Sequence, residues 1–134
     1  MSDKKRLDLQ PTVPAPDFDV GVYATRLLRF TRKMVRDGGF PKRAKHDGDV
    51  LAVMGSSREI LHLAHRANEM PQKTHRAERV KLIRELIGEL DYYESLLFSF
   101  WEENYISGDQ WCDWEKQARI LKGKAISWYN KMAQ

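Results

Sequence analysis

An all-α fold, an antiparallel up-down-up-down four-helix bundle, is what this sequence predicts, and three observations predict it. Apolar residues recur at spacings of three and four in four consecutive blocks. No block alternates with period two, and the Asp-Gly at Asp47-Gly48 leads into a helical pattern, not a strand. The breaks between blocks are short and carry Gly, Pro or Ser, so each helix must turn back along the one before it.

Residues 1–17 precede the first block as an arm. They hold Pro11, Pro14 and Pro16 and few large apolar groups, which favours neither helix nor ladder. The bundle is expected over 18–134. Its first helix is predicted over 18–36, with Val20, Tyr23, Leu27, Phe30 and Met34 on one seam. Gly38-Gly39 suit a left-handed cap, and Phe40-Pro41 follow.

The second helix is predicted over 47–69, with Val50, Met54, Ser57, Leu61, Ala64 and Asn68 in line and Val53, Ile60 and Ala67 beside them. Pro71 closes it, because the residue before a proline is pushed out of helical geometry. The third, over 72–105, carries Val80, Ile83, Ile87, Leu90, Leu97 and Trp101, widened by Leu82, Leu86, Tyr93, Leu96 and Phe100. Such a helix would be about 50 Å long and covered from two sides. The fourth begins at a capping box, Ser107 with Gln110, flanked by Ile106 and Trp111 at the positions of a hydrophobic staple. From there Trp111, Trp114, Ala118, Leu121, Ala125, Trp128 and Met132 keep the 3-4 rhythm of knobs-into-holes packing. Trp111, Trp114, Leu121 and Trp128 are therefore assigned to the core or to an interface between copies.

Length and composition fit one domain. A chain of 134 residues buries about two-thirds of its unfolded surface, enough for a core without disulfide or metal. Cys112 stands alone, so no internal disulfide forms and nothing points to an oxidising compartment. No apolar run approaches the roughly 18 residues of a membrane span, and the start has no signal-peptide core, so the expectation is a soluble cytoplasmic protein.

Catalytic motifs are absent. The chain has no phosphate-binding loop, dinucleotide fingerprint or nucleophile elbow, and no histidine is nominated as a partner for Cys112. A di-iron bundle needs two Glu-x-x-His pairs, whereas Glu59 with His62 is a single copy. His62 and His65 share a helix but supply too few ligands for zinc. Neither catalytic residue, metal ligand nor cofactor is expected.

Charge is the stronger signal. Net charge is +4, yet the stretch from Arg26 to Lys45 alone carries +7, in Arg26, Arg29, Arg32, Lys33, Arg36, Lys42, Arg43 and Lys45 against Asp37. A second basic set, Lys73, Arg76, Arg79, Lys81 and Arg84, opens the third helix, where the helix dipole disfavours cations. Concentrated basic charge of this kind is the footprint of a polyanion partner. A solvated charged face is the plainer alternative for any single helix.

Several short motifs, in order, carry a likeness. They are Phe40-Pro41-Lys42-Arg43, then Ala67-Asn68, Arg76 and Glu89-Leu90-Asp91. Tyr105-Ile106-Ser107, Gln110-Trp111, Trp114, Gly123-Lys124 and Ser127-Trp128 complete the set. In these features the chain, over residues 23–129, resembles the Avd (accessory variability determinant) family of diversity-generating retroelements. That family lies among wider four-helix-bundle relatives that include proteins encoded in bacterial ribosomal RNA intervening sequences. The last Gly-to-Trp spacing is one residue short, Ser127 stands where a glycine is common, and the arm is extra. The resemblance implies a homopentameric barrel that binds a reverse transcriptase and its template RNA, with DNA or an RNA/DNA hybrid as related ligands. It implies support of mutagenic copying without catalysis of it. The alternative is a related RNA- or protein-binding bundle outside any retroelement.

Overall fold

A computed structural model describes residues 19–37 and 40–133; the N-terminal arm and the Gly38-Gly39 cap lie outside them. Four helices and one 3-10 turn make up the described chain, which contains no strand. Helix α1 is Asp19–Asp37, α2 is Gly48–Glu69, α3 is Arg76–Glu102 and α4 is Gly108–Ala133. Helix α1 packs on α2 and α4, and α3 packs on the same two, so the four close into a bundle in chain order.

The ends of α3 differ from the sequence expectation, and both differences have local causes. Gln72–Thr74 form a turn instead of a first helical turn, closed by the His75 N–H donating to the Pro71 carbonyl at 2.9 Å. At the other end Asn104 takes a left-handed conformation, φ 60°. The Tyr105 N–H then reaches back to the Phe100 carbonyl (2.9 Å) and the Asn104 N–H to that of Trp101 (3.0 Å). This is a Schellman ending, with Tyr105 packed on Phe100 at 6.3 Å between ring centroids. Helix α3 is therefore 27 residues and about 40 Å long.

Helix α4 starts as its sequence dictates. The Gln110 N–H donates to Ser107 Oγ (3.1 Å), and the Ser107 N–H donates to Gln110 Oε1 (2.7 Å). Helix α2 is capped by Asp47, whose Oδ1 accepts from the Asp49 N–H at 2.9 Å. Its Oδ2 accepts from the Tyr105 hydroxyl at 2.7 Å, which pins the α2 cap to the α3–α4 turn.

The seams are close to those expected, with rotations. On α2 the residues placed beside the line (Val53, Ile60, Ala67) are fully buried, while Met54, Leu61 and Asn68 are half-buried. On α1, Ala24, Leu28 and Thr31 join Val20 and Leu27 inside, and Tyr23, Phe30 and Met34 flank them. Trp101 departs from the expectation: it lies on the surface, 40% exposed.

The core has one polar thread. Trp114 Nε1 can only donate, and it donates to the Tyr93 hydroxyl at 2.6 Å. Thr31 Oγ1 donates to the Leu27 carbonyl at 2.6 Å, so the Tyr93 proton goes to Thr31 at 2.6 Å. Every donor in this run from α4 through α3 to α1 has an acceptor, which is how buried polar groups are tolerated. Burial pushes the Tyr93 phenol far above its ordinary range, so it remains neutral.

Candidate nucleic-acid interface

With Val20, Ala24, Leu27, Leu28 and Thr31 facing inward, α1 turns Arg26, Arg29, Arg32, Lys33 and Arg36 to solvent. Arg32 and Arg36 are one helical turn apart. Together with Arg58 of α2 they border a groove of about 270 Å³, floored by Val35 and Met54. No acid lines that groove. Arg58 was not singled out in the sequence, because it stands alone there and reaches the α1 arginines only through the α1–α2 packing. The exposed side of α2 continues through His62 and His65 to Arg66, about 12 Å farther along the axis.

Three guanidinium groups around an apolar floor suit phosphate. Each is permanently charged and presents a planar donor fork that matches two phosphate oxygens. Contacts of this kind fix a backbone without reading bases.

The remaining basic residues divide by environment. Lys42, Arg43 and Lys45 are exposed on the α1–α2 connection. Arg43 is also structural: its Nη2 donates to the Glu103 carbonyl (2.8 Å), and its guanidinium lies 5.4 Å from the Tyr105 ring centroid. At the opposite end Lys73 and Arg76 border a groove of about 680 Å³ with Pro71, Gln72 and Thr74. Arg84 donates to the Tyr129 hydroxyl at 3.2 Å and lies over that ring. Arg26 sits 4.9 Å from the Tyr23 ring centroid, with Lys124 4.7 Å from the same ring.

Arg79 leaves the surface set. It is 5% exposed, and its Nη1 donates to the Met70 carbonyl at 2.8 Å and, at 3.4 Å, to that of Asn68. These are free carbonyls at the α2 C-terminus, where a cation also meets the negative end of the helix dipole. Its guanidinium covers the Trp128 ring at 5.4 Å. The two basic sets thus occupy opposite ends of the bundle, bridged by the exposed side of α2.

The assignment of tryptophans to core or interface separates cleanly. Trp114, Leu121 and Trp128 are core. Trp111 is half-buried and stacks on Trp101 at 5.1 Å and 16° between planes, with Phe98 beside both. Cys112 is exposed. Among the described residues no three His, Cys, Asp or Glu side chains gather as a metal site, and no helix is long and apolar enough to cross a membrane.

No protein-family model, curated protein or solved structure matches the chain.

Proposed function

We propose that this chain is a non-catalytic RNA-binding scaffold, the accessory protein of a diversity-generating retroelement, which holds template RNA for a reverse transcriptase during mutagenic copying. The observation that carries the RNA half is the groove between α1 and α2, where Arg32, Arg36 and Arg58 converge without an acidic neighbour in its lining. Its setting within the +7 stretch from Arg26 to Lys45 adds long-range attraction for any phosphate backbone. The reverse transcriptase, a homopentameric assembly and a cytoplasmic setting follow from the ordered motifs shared with the Avd family.

RNA binding by fluorescence anisotropy at about 50 and 200 mM salt tests the groove. The triple change Arg32→Ala, Arg36→Ala and Arg58→Ala removes three cations, which lowers the slope of log affinity against log salt by about 2 to 3. An unchanged slope would show that the groove is only a solvated face. Co-purification with a reverse transcriptase encoded beside this chain tests the other half. Failure to co-purify, with RNA binding intact, moves the reading to a related bundle outside any retroelement. Light scattering reads the subunit number directly.

A further inference from the structure

Opposite in character to the arginine groove is the seam where the second half of α3 lies along the first half of α4. Residues 91–115 hold seven acids (Asp91, Glu94, Glu102, Glu103, Asp109, Asp113 and Glu115) and not one lysine or arginine. On α3, Glu94, Phe98 and Trp101 follow one another at helical spacing; on α4, Trp111 and Glu115 do the same. Phe98 is 44% and Trp101 40% exposed, and with Trp111 they form a continuous aromatic shelf. A groove of about 360 Å³ extends from Trp111 along α4 past Cys112 and Glu115 to Ile120.

Two polar atoms at this seam lack partners in the folded chain. Trp111 Nε1 is buried without an acceptor, and Glu115 Oε1 is buried without a donor. Glu115 Oε2 has Arg119 at 3.5 Å, a guanidinium that is itself largely exposed. Glu94 is held by Lys122 at 3.1 Å, which also pairs with Asp91. Burial, and then the charge of Glu94, push the Glu115 carboxyl above its ordinary range. An arriving cation would relieve both.

We propose that this α3–α4 seam docks an arginine-rich segment of a protein partner, with guanidinium planes on the Phe98–Trp101–Trp111 shelf and their charge taken by Glu94 and Glu115. Charge complementarity selects this occupant: a cation meets seven acids here and would be repelled by the α1–α2 groove. Aromatic faces beside carboxylates bind guanidinium through both cation–π attraction and charged hydrogen bonds. An exposed aromatic shelf of this kind is also where interface energy concentrates. The inference deepens the accessory reading, on which it rests for the existence of a protein partner. It divides the work of the molecule: RNA on one flank, a basic protein that handles the same RNA on the other.

The test uses the full chain and a fluorescein-labelled oligo-arginine peptide of about nine residues, titrated by anisotropy without RNA. The unmodified chain is expected to bind it. Glu94→Gln with Glu115→Gln is expected to weaken binding about tenfold, as is Trp101→Ala on its own. Glu59→Gln with Glu69→Gln, the same change in net charge on exposed α2 positions, is expected to leave the affinity within about twofold. Circular dichroism confirms that each variant is folded, and the two seam variants fail independently if one does not fold. Equal weakening by the seam and control pairs would reduce the effect to net charge and overturn the proposal. So would a wild-type chain that ignores the peptide, or one whose self-association, read by light scattering, is lost in Trp101→Ala; the latter assigns the seam to a second copy. RNA titrations of the same variants keep the two readings apart. Peptide binding with no RNA binding sinks only the RNA reading, and the converse sinks only the seam.

Discussion

Two aromatic clusters lie at the same end of this bundle and share one helix, yet one is interior and the other is not. Trp114 packs against Phe30, Phe40, Tyr93 and Phe100 at centroid distances of 5.9 to 6.5 Å, with residues from α1, the α1–α2 connection and α3 enclosing it. Trp111, three positions earlier, meets only Trp101 and Phe98 of α3. The interior indole N–H is used; the outer one is not. Hydrogen bonding is not what divides them, since Trp128 is buried with its own Nε1 unpaired under the Arg79 guanidinium. What commits an aromatic to the core is enclosure from several elements. A tryptophan flanked by one neighbouring helix keeps a face for something else.

The largest break in that comparison comes from Trp114→Ala. Emptying so large a buried site should cost about 4 kcal/mol, read as a lower denaturation midpoint with an unchanged slope. Tyr93→Phe should cost about 2 kcal/mol, because it strands the Trp114 N–H and takes a donor from Thr31. If Tyr93→Phe is neutral, the thread from α4 to α1 is not a stabilising element.

Next comes Asp47→Ala, at about 1 kcal/mol for a lost helix cap. The Asp49 N–H, and then the Tyr105 hydroxyl, hold the Asp47 carboxyl below its ordinary range. Its contribution is therefore complete above the usual aspartate pKa and lost as pH falls through the depressed one. A variant whose acid-unfolding curve matches that of the parent would refute this.

Glu115 has the opposite sign. Its raised pKa means that the folded chain holds a proton that the unfolded chain has released, so stability declines as pH rises out of the glutamate range. Glu115→Gln should flatten that decline and leave the folded state slightly more stable at neutral pH. Smallest of all is Trp101→Ala, within about 0.5 kcal/mol, since the side chain lies at the surface. A loss comparable to that of Trp114→Ala would show that the shelf is structural and erase the distinction.

Features whose partners are close in sequence were legible in it. The Ser107–Gln110 box spans four residues, and the α4 seam from Trp114 to Met132 repeats a single rhythm; both stand as expected. Features assembled across the fold were not. Tyr93 reads as one more apolar position in α3, and nothing near it announces Thr31, 62 residues away. Arg79 reads as one more surface cation until the α2 C-terminus is brought against it. The end of α3 was misplaced because Asn104 adopts a left-handed conformation that a helical pattern does not signal. Of the arginine groove, Arg32 and Arg36 share a turn and were legible, while Arg58 arrives from α2. The acidic run was present in the sequence throughout, but its counterpart, the aromatic shelf, exists only once Trp101 and Trp111 meet.

The division of the indoles has an optical consequence. Trp114, sealed in hydrocarbon and hydrogen-bonded to a phenol, emits from a nonpolar site, while Trp101 and Trp111 emit beside water. The stacked pair, 5.1 Å apart, should also couple its transitions and give a split near-ultraviolet dichroism band that the sealed indole does not contribute. Light therefore reports separately on the inside of this bundle and on its outer shelf, with no dye attached.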